Sequence, residues 1–198
     1  MTKEFKREAL ACLTGIVIGG LIIANFVIQK NSSFYGLSGH EDDYHIHADF
    51  LVEINGEVLD LGVAEFMTSS EQMLHNDAHL HDEDGDVLHM HAENISFVEF
   101  LNSIEITLEE DCLSVKDEKF CADEKNILSL YVNNEIWTDN FESYVPTDLD
   151  RVLLYYGEKN GPRSESFEAV LDNACIYSGS CPERGIAPPE SCGLTCEL

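Results

Sequence analysis

HIHADFLVEINGEVLDL, residues 45–61, alternates. Ile46, Ala48, Phe50, Val52 and Ile54 fall on one side of a period-two repeat, and His45, His47, Asp49, Leu51 and Glu53 on the other. That period belongs to a strand, whose successive side chains point to opposite faces. Asn55-Gly56 is the strongest short hairpin signal, because both residues accept the positive φ that a tight hairpin turn demands. Glu57–Leu61 should therefore return antiparallel. The apolar side makes core, and the histidines face a second layer or a cleft.

A second hairpin is expected in AHLHDEDGDVLHMHA, residues 78–92. With His45-Ile46-His47 it completes three H-x-H pairs: His79-Leu80-His81 and His89-Met90-His91 are the others. Loop parity decides what this hairpin can do. Directly opposed residues of an antiparallel pair share a face, and a one-residue slip exchanges the faces. A two-residue loop at Asp84-Gly85 would oppose His81 to Leu88 and divide the four imidazoles. A three-residue loop ending in a left-handed Gly85 opposes His79 to His89; a loop of Asp84 to Asp86 opposes His81 to His89. Either odd loop gathers all four on one face, and an odd loop is predicted.

The rest of the chain is consistent with a small α+β domain, a mostly antiparallel array of hairpins with one short helix. Residues 62–77 are irregular, with Phe66, Met67, Met73 and Leu74 able to close one end of the core and His75 in a structural role. Ser96 and Glu99 form a capping box ahead of a helix that buries Phe97, Phe100, Leu101 and Ile104. Ile104–Leu108 reads as a strand and 109–126 as an acidic loop stapled by Cys112 and Cys121. Asn133-Asn134 joins strands at 127–132 and 135–138, and Arg151–Tyr156 is a further strand. Ser164–Asn173 reads as a helix, followed by a cysteine-rich tail. About seven strands are expected in all, with a domain over 45–157 and a helix plus tail over 158–198.

The N-terminus carries a different signal. From Leu10 to Ile28 no residue is charged; as a helix at ~1.5 Å per residue this run spans about 28 Å, close to a bilayer core. Lys3, Lys6 and Arg7 precede it, which by the positive-inside rule places residues 1–30 as a cytoplasmic stub and transmembrane helix, 31–44 as a linker, and the remainder outside the cell membrane. A cleaved signal peptide is the competing reading, but no small-x-small site follows the run. Gly15-x-x-x-Gly19 is compatible with a homodimer through this helix. Six of the seven cysteines lie beyond it, an even number as expected of disulfides in an exported segment. Cys112 and Cys121 are spaced for a local loop, and the four in the tail are expected to pair among themselves. No C-x-x-C is present, which argues against a thiol–disulfide exchange enzyme. The net charge of −27 repels a phosphate backbone and excludes nucleic acid as a partner, while it favours cations.

Paired imidazoles on strands are metal-ligand chemistry. The candidate ligands are His45, His47, His79, His81, His89, His91 and Asp49, and the metals that suit imidazole best are copper and zinc. Met90 should face the core and drop out. A hydrogen-bonded polar cluster without metal is the plain alternative. His45-x-His47-x-Asp49 resembles the H-x-H-x-D core of metallo-β-lactamase-like enzymes, but Phe50 stands where that motif continues with histidine. Neither a nucleophile nor a phosphate loop is marked.

The segments quoted for residues 45–61 and 78–92, together with LYVNNEIW, TDLDRVLLYYG and the tail CIYSGSCPERGIAPPESCGLTC, resemble a family of membrane-anchored prokaryotic proteins with HxHADF and HxHD…HxHA motifs, often labelled protein-disulfide isomerase. The resemblance covers residues 45–157 and the tail. It implies a membrane-anchored organisation and places the family's H-x-H positions at His45, His47, His79, His81, His89 and His91. The leading expectation is a single-pass extracytoplasmic metal-binding protein for capture, buffering or delivery. A small metalloenzyme with an open metal position, and a metal-free envelope interaction protein, are the alternatives.

Overall fold

The computed structural model describes residues 44–109, 111–161 and 163–189. The expected stub, transmembrane helix, glycine pair and linker lie outside them, as do Cys192 and Cys196. Among the described residues no helix is long and apolar enough to cross a membrane.

Among the described residues the chain is mostly β, with three α-helices, in an α+β arrangement. Strand β1 (Ile46–Ile54) is the centre. Asn55 and Gly56 both adopt positive φ, 55° and 85°, and turn it into β2 (Glu57–Val58) with Ile54 opposite Glu57, as the sequence predicts. Strands β3 (Ala78–His79) and β4 (Val87–Met90) follow. Helix α1 (Phe97–Ser103) is capped by Ser96, whose hydroxyl accepts from the Glu99 amide at 3.1 Å. Next come β5 (Ile106–Glu109), β6 (Cys112–Val115), β7 (Glu118–Cys121), β8 (Asn126–Val132), β9 (Glu135–Ile136) and β10 (Arg151–Glu158). Helices α2 (Arg163–Glu168) and α3 (Ala174–Tyr177) follow, and a 3-10 turn at Pro182–Arg184 comes after them. Strands β1 to β4 and β8 to β10 build one seven-stranded sheet, ordered β3-β4-β1-β10-β8-β9 with β2 paired to β1; β5-β6-β7 form a separate sheet.

Three expectations need correcting. Residues 112–121 are a hairpin, not a loop: Cys112 lies opposite Cys121 and their disulfide bridges the two strands. The turn Lys116-Asp117 lacks the Asn-Gly signature, and Lys116 takes φ 53°, so turn chemistry did not announce it. The strand expected at Ile104–Leu108 begins two residues later, because Ile104 closes α1 and is buried beneath it. The expected helix at 164–173 ends at Glu168, and a second short helix follows.

The two faces of the large sheet differ. Phe50, Val52, Leu88, Met90, Leu80, Leu130, Val152 and Leu154 pack against α1 and the small sheet in the main core. Phe50 sits edge-on to Phe97 and Phe100, with ring centroids 5.8 and 5.4 Å away, an arrangement that suits the aromatic quadrupole. On the opposite face Leu51, Leu153 and Tyr155 form a smaller cluster with Phe167 and Val170 of the tail. Arg151 ties that layer down: its guanidinium donates to the carbonyls of Val170 and Leu171 and lies over the Phe167 ring.

The sheet is antiparallel except at its middle. β1 and β10 run parallel, Asp49 opposite Arg151 through Ile54 opposite Tyr156. The turn feeding β10 is organised by buried Asp150, which accepts from Tyr144 Oη, Thr147 N and Thr147 Oγ1 through one oxygen and from Asn133 Nδ2 through the other. Burial and the adjacent Asp150 charge push the Tyr144 phenol far up, so it stays a neutral donor.

Candidate metal centre

Strand register builds the site. His47 lies opposite His89 across β1 and β4, and His79 lies opposite His89 across β3 and β4. Three imidazoles thus stand in one row across three adjacent strands, which are spaced about 4.8 Å apart. His45 and His91 stand beside that row and stack on each other, ring centroids 4.4 Å apart. His91 also stacks on His79 at 5.0 Å, and His81 packs on His89 at 3.9 Å. All six paired histidines gather on one face. His47, His79, His81 and His89 are each at most 2 % exposed. Met90 faces the core on the other side.

The register opposes His79 to His89, the parity an odd loop gives, but the tight three-residue loop is not formed: the β3–β4 ladder stops at that pair and residues 80–86 connect the strands. The reason assigned to Gly85 is not the one observed. The left-handed residues of the turn are Asp82 and Glu83, at φ 56° and 63°. Gly85 is instead pressed against another backbone: a Cβ there would lie 2.3 Å from Gly62 N and 2.4 Å from Leu61 C. The glycine lets the hairpin tip pack on the segment that follows β2.

Among the described residues one set of three donors converges: the ligand atoms of His45, His47 and His89 all lie within 4.8 Å of one another, so this triad could hold a metal ion. Polar partners hold the imidazoles around it. His47 Nδ1 is 2.9 Å from Ser178 Oγ. The Ser178 hydroxyl donates to Asp148 Oδ1 at 2.5 Å, which leaves its oxygen to accept from His47 Nδ1–H. His81 Nδ1 contacts Asp82 Oδ2 at 2.8 Å, and His79 Nδ1 contacts the His75 carbonyl at 3.3 Å. Acceptors at three Nδ1 atoms select the tautomer that keeps the Nε2 lone pair for a metal. His81 Nε2 is buried and makes no hydrogen bond. A polar atom so placed is costly unless something ligates it.

His75 is structural, as its isolation in the sequence suggested. Its ring Nδ1 accepts from the amides of Asp77 and Ala78 and shapes the entry to β3. Asp49 lies on the histidine face of β1, but its carboxylate is engaged elsewhere: Oδ1 accepts from Asn173 N at 2.7 Å, and both oxygens accept from Ala174 N. It anchors the start of α3. Burial raises its pKa, and the two amides pull the other way.

The tail supplies what the sequence did not reveal. The Tyr177 ring covers the row, 5.5 Å from His47 and edge-on to His89 at 4.9 Å, while its hydroxyl donates to Asp84 Oδ2 at 2.8 Å. Ser178, Tyr177, Asp148, Asp82 and Asp84 all escaped notice. The one available signal was Cys175 and Cys181 enclosing IYSGS, a short loop that their disulfide holds in place.

No protein-family profile, curated protein or solved structure matches the chain.

Proposed function

We propose that this chain is a membrane-anchored extracytoplasmic protein that binds copper or zinc for capture, buffering or delivery. The observation that carries the reading is the convergence of His45, His47 and His89 within 4.8 Å on a face where neighbouring imidazoles are held through Nδ1. The donors are all nitrogen, and Met90 points into the core. This favours Zn2+ or Cu2+ over Cu+, which prefers sulfur. Burial of His47 and His89 beneath Tyr177 favours a closed holding site over an open catalytic one. His79, His81 and His91 extend the donor array as further ligands. The anchor reading rests on the uncharged Leu10–Ile28 run and the basic residues before it. The extracytoplasmic reading is supported by two disulfides, Cys112–Cys121 and Cys175–Cys181.

The test is elemental analysis of the full-length chain, purified in mild detergent and reconstituted separately with Zn2+ and Cu2+ at neutral pH. At least one equivalent should be retained. Replacing His45, His47 and His89 together by alanine should abolish it. Retention of less than about half an equivalent by the native chain refutes the metal reading. Bound metal that survives the triple replacement refutes the choice of ligands. A small metalloenzyme is the second reading, because three protein ligands leave a fourth position; an exchangeable water on the metal in X-ray absorption spectra would favour it.

A further inference from the structure

The disulfide Cys175–Cys181 closes a loop of sequence separation 6, and that loop carries both tail residues that touch the histidine face. Ser178 holds His47, and Tyr177 covers His47 and His89. Besides the disulfide, the loop is held by short turn bonds such as Ser178 N to Ala174 O and Ser180 N to Cys175 O, and by the contacts of Tyr177 Oη to Asp84 and Ser178 Oγ to Asp148. Helix α3 has 4 residues, far below the length at which a helix persists unaided. Asp49 fixes only its beginning. At the other end Arg184 lies against the disulfide: its Nη1 is 3.2 Å from Cys175 Sγ, and the same guanidinium is held by Asp172 Oδ2 at 3.0 Å and Asn173 Oδ1 at 3.2 Å. A guanidinium at that distance stabilises a departing thiolate. The other disulfide is differently placed. Cys112–Cys121 bridges a hairpin whose ladder pairs continue from Leu113 and Phe120 to Val115 and Glu118, so opening it leaves the strands paired.

We propose that Cys175–Cys181 is a thiol–disulfide exchange site, with a dithiol as its reductant, and that its reduction unlatches the Tyr177–Ser178 loop and speeds metal loss from the histidine face. The proposal rests on the metal reading above. One thiolate of the dithiol attacks Cys181 Sγ; the Cys175–Cys181 bond breaks, and Cys175 leaves as a thiolate beside Arg184. The second thiol of the reductant then displaces Cys181 from the mixed disulfide. Two electrons and two protons pass from the dithiol, which ends as a disulfide, to the two cysteines. Both cysteines are 8 % exposed, so attack follows fraying of the α3 turn. Once open, the loop no longer holds His47 through Ser178 or shields the row with Tyr177. The metal site of this chain would then retain its ion under oxidising conditions and surrender it under reducing ones.

The experiment uses the full-length chain in detergent, loaded with Zn2+, and follows transfer to a chromogenic chelator. Cys175→Ser/Cys181→Ser should release Zn2+ about tenfold faster than the native chain, and serine avoids any ligation by freed thiols. A water-soluble phosphine, which reduces a disulfide by taking oxygen from water and binds zinc weakly, should accelerate the native chain and leave that variant unchanged. Cys112→Ser/Cys121→Ser should release slowly and still respond to phosphine. Release from Cys175→Ser/Cys181→Ser within about twofold of native overturns the proposal. Hydrogen exchange on the metal-free proteins supplies the separate readout. Residues 173–181 should lose protection in Cys175→Ser/Cys181→Ser while β1 and β10 keep theirs; unchanged protection over 173–181 overturns the latch whatever the metal result. A native chain that binds no Zn2+ refutes the metal reading and the release claim with it, and the exchange data then report on the loop alone.

Discussion

Ser178→Ala tests the site at its least obvious point. The substitution removes one oxygen from a partly exposed loop residue and replaces none of the proposed ligands. Two contacts disappear: the His47 Nδ1 contact at 2.9 Å and the hydroxyl's donation to Asp148 at 2.5 Å. The His47 ring loses the acceptor that selects its tautomer. The strand position of His47 survives, because its backbone remains held by Asp148 Oδ1 at the amide and by the Leu149 amide at the carbonyl. The loss is therefore confined to orientation and basicity of the ring. Removing such an outer partner costs about 10- to 100-fold in metal affinity, or about 1.4 to 2.7 kcal/mol. Thermal stability of the metal-free chain should fall by about 1 to 3 kcal/mol, since two hydrogen bonds are lost and the buried His47 ring loses the Ser178 acceptor. The assay is competition for Zn2+ against a chelator of known affinity at neutral pH. Asp148→Asn should weaken binding in the same direction. The double variant should lose less than the two single losses added, because both changes cut one chain of contacts. Affinity in Ser178→Ala within about threefold of native, or fully additive losses, would refute the argument that the tail holds His47 for the metal.

Three further outcomes follow from the fold. Phe50→Ala, at 1 % exposure between Phe97 and Phe100, should cost about 3 to 5 kcal/mol in denaturant unfolding; a loss under about 1 kcal/mol would mean the aromatic cluster does not anchor the core. Gly85→Ala should destabilise more than an ordinary turn substitution, because its Cβ would meet Gly62 N at 2.3 Å; chemical shifts of His79 and His89 should move with it, and an unperturbed spectrum would show that the two backbones do not approach so closely. Asp86→Asn should stabilise the protein at neutral pH. Burial first, then the Asp84 and Asp60 charges, raise the Asp86 pKa. Between its unfolded and raised folded values the native state holds a proton that the unfolded state has lost, so native stability falls as pH rises through that window. The advantage of Asp86→Asn over native in Tm should therefore shrink as pH drops towards the ordinary carboxylate range; a gap independent of pH would contradict the assignment.

Local chemistry explains which parts of the molecule could be read in advance. Alternation over 45–54 and the Asn55-Gly56 pair specify a strand and its return without help from the rest of the chain. Ser96 and Glu99 specify where α1 begins in the same way. Parity at the 82–86 turn was enough to place four imidazoles together, since one face had to be core. What escaped was long-range. The hairpin at Lys116-Asp117 is held by its disulfide and by Leu113 in the core, not by turn residues. Asp49 reads as a ligand from its spacing to His47, and only the tail, 124 positions away, supplies the amides that engage it. Tyr177 and Ser178 sit in a segment with no periodicity, and their meaning depends on where the tail crosses the sheet.

The parallel pairing of β1 with β10 sets an order of events. These strands are neighbours in the sheet yet separated by most of the domain, and such non-local pairings form late because chain entropy must be lost first. His47 meets Ser178 across a separation of 131 residues. During synthesis from the N-terminus, the histidine hairpins emerge well before their outer supports. The donor set can exist early, but its finished form waits for the C-terminal quarter to arrive. On the proposed metal reading, selectivity would be acquired only once the C-terminal segment has arrived, and a truncated or stalled chain would present loosely held imidazoles to whatever cation it meets first.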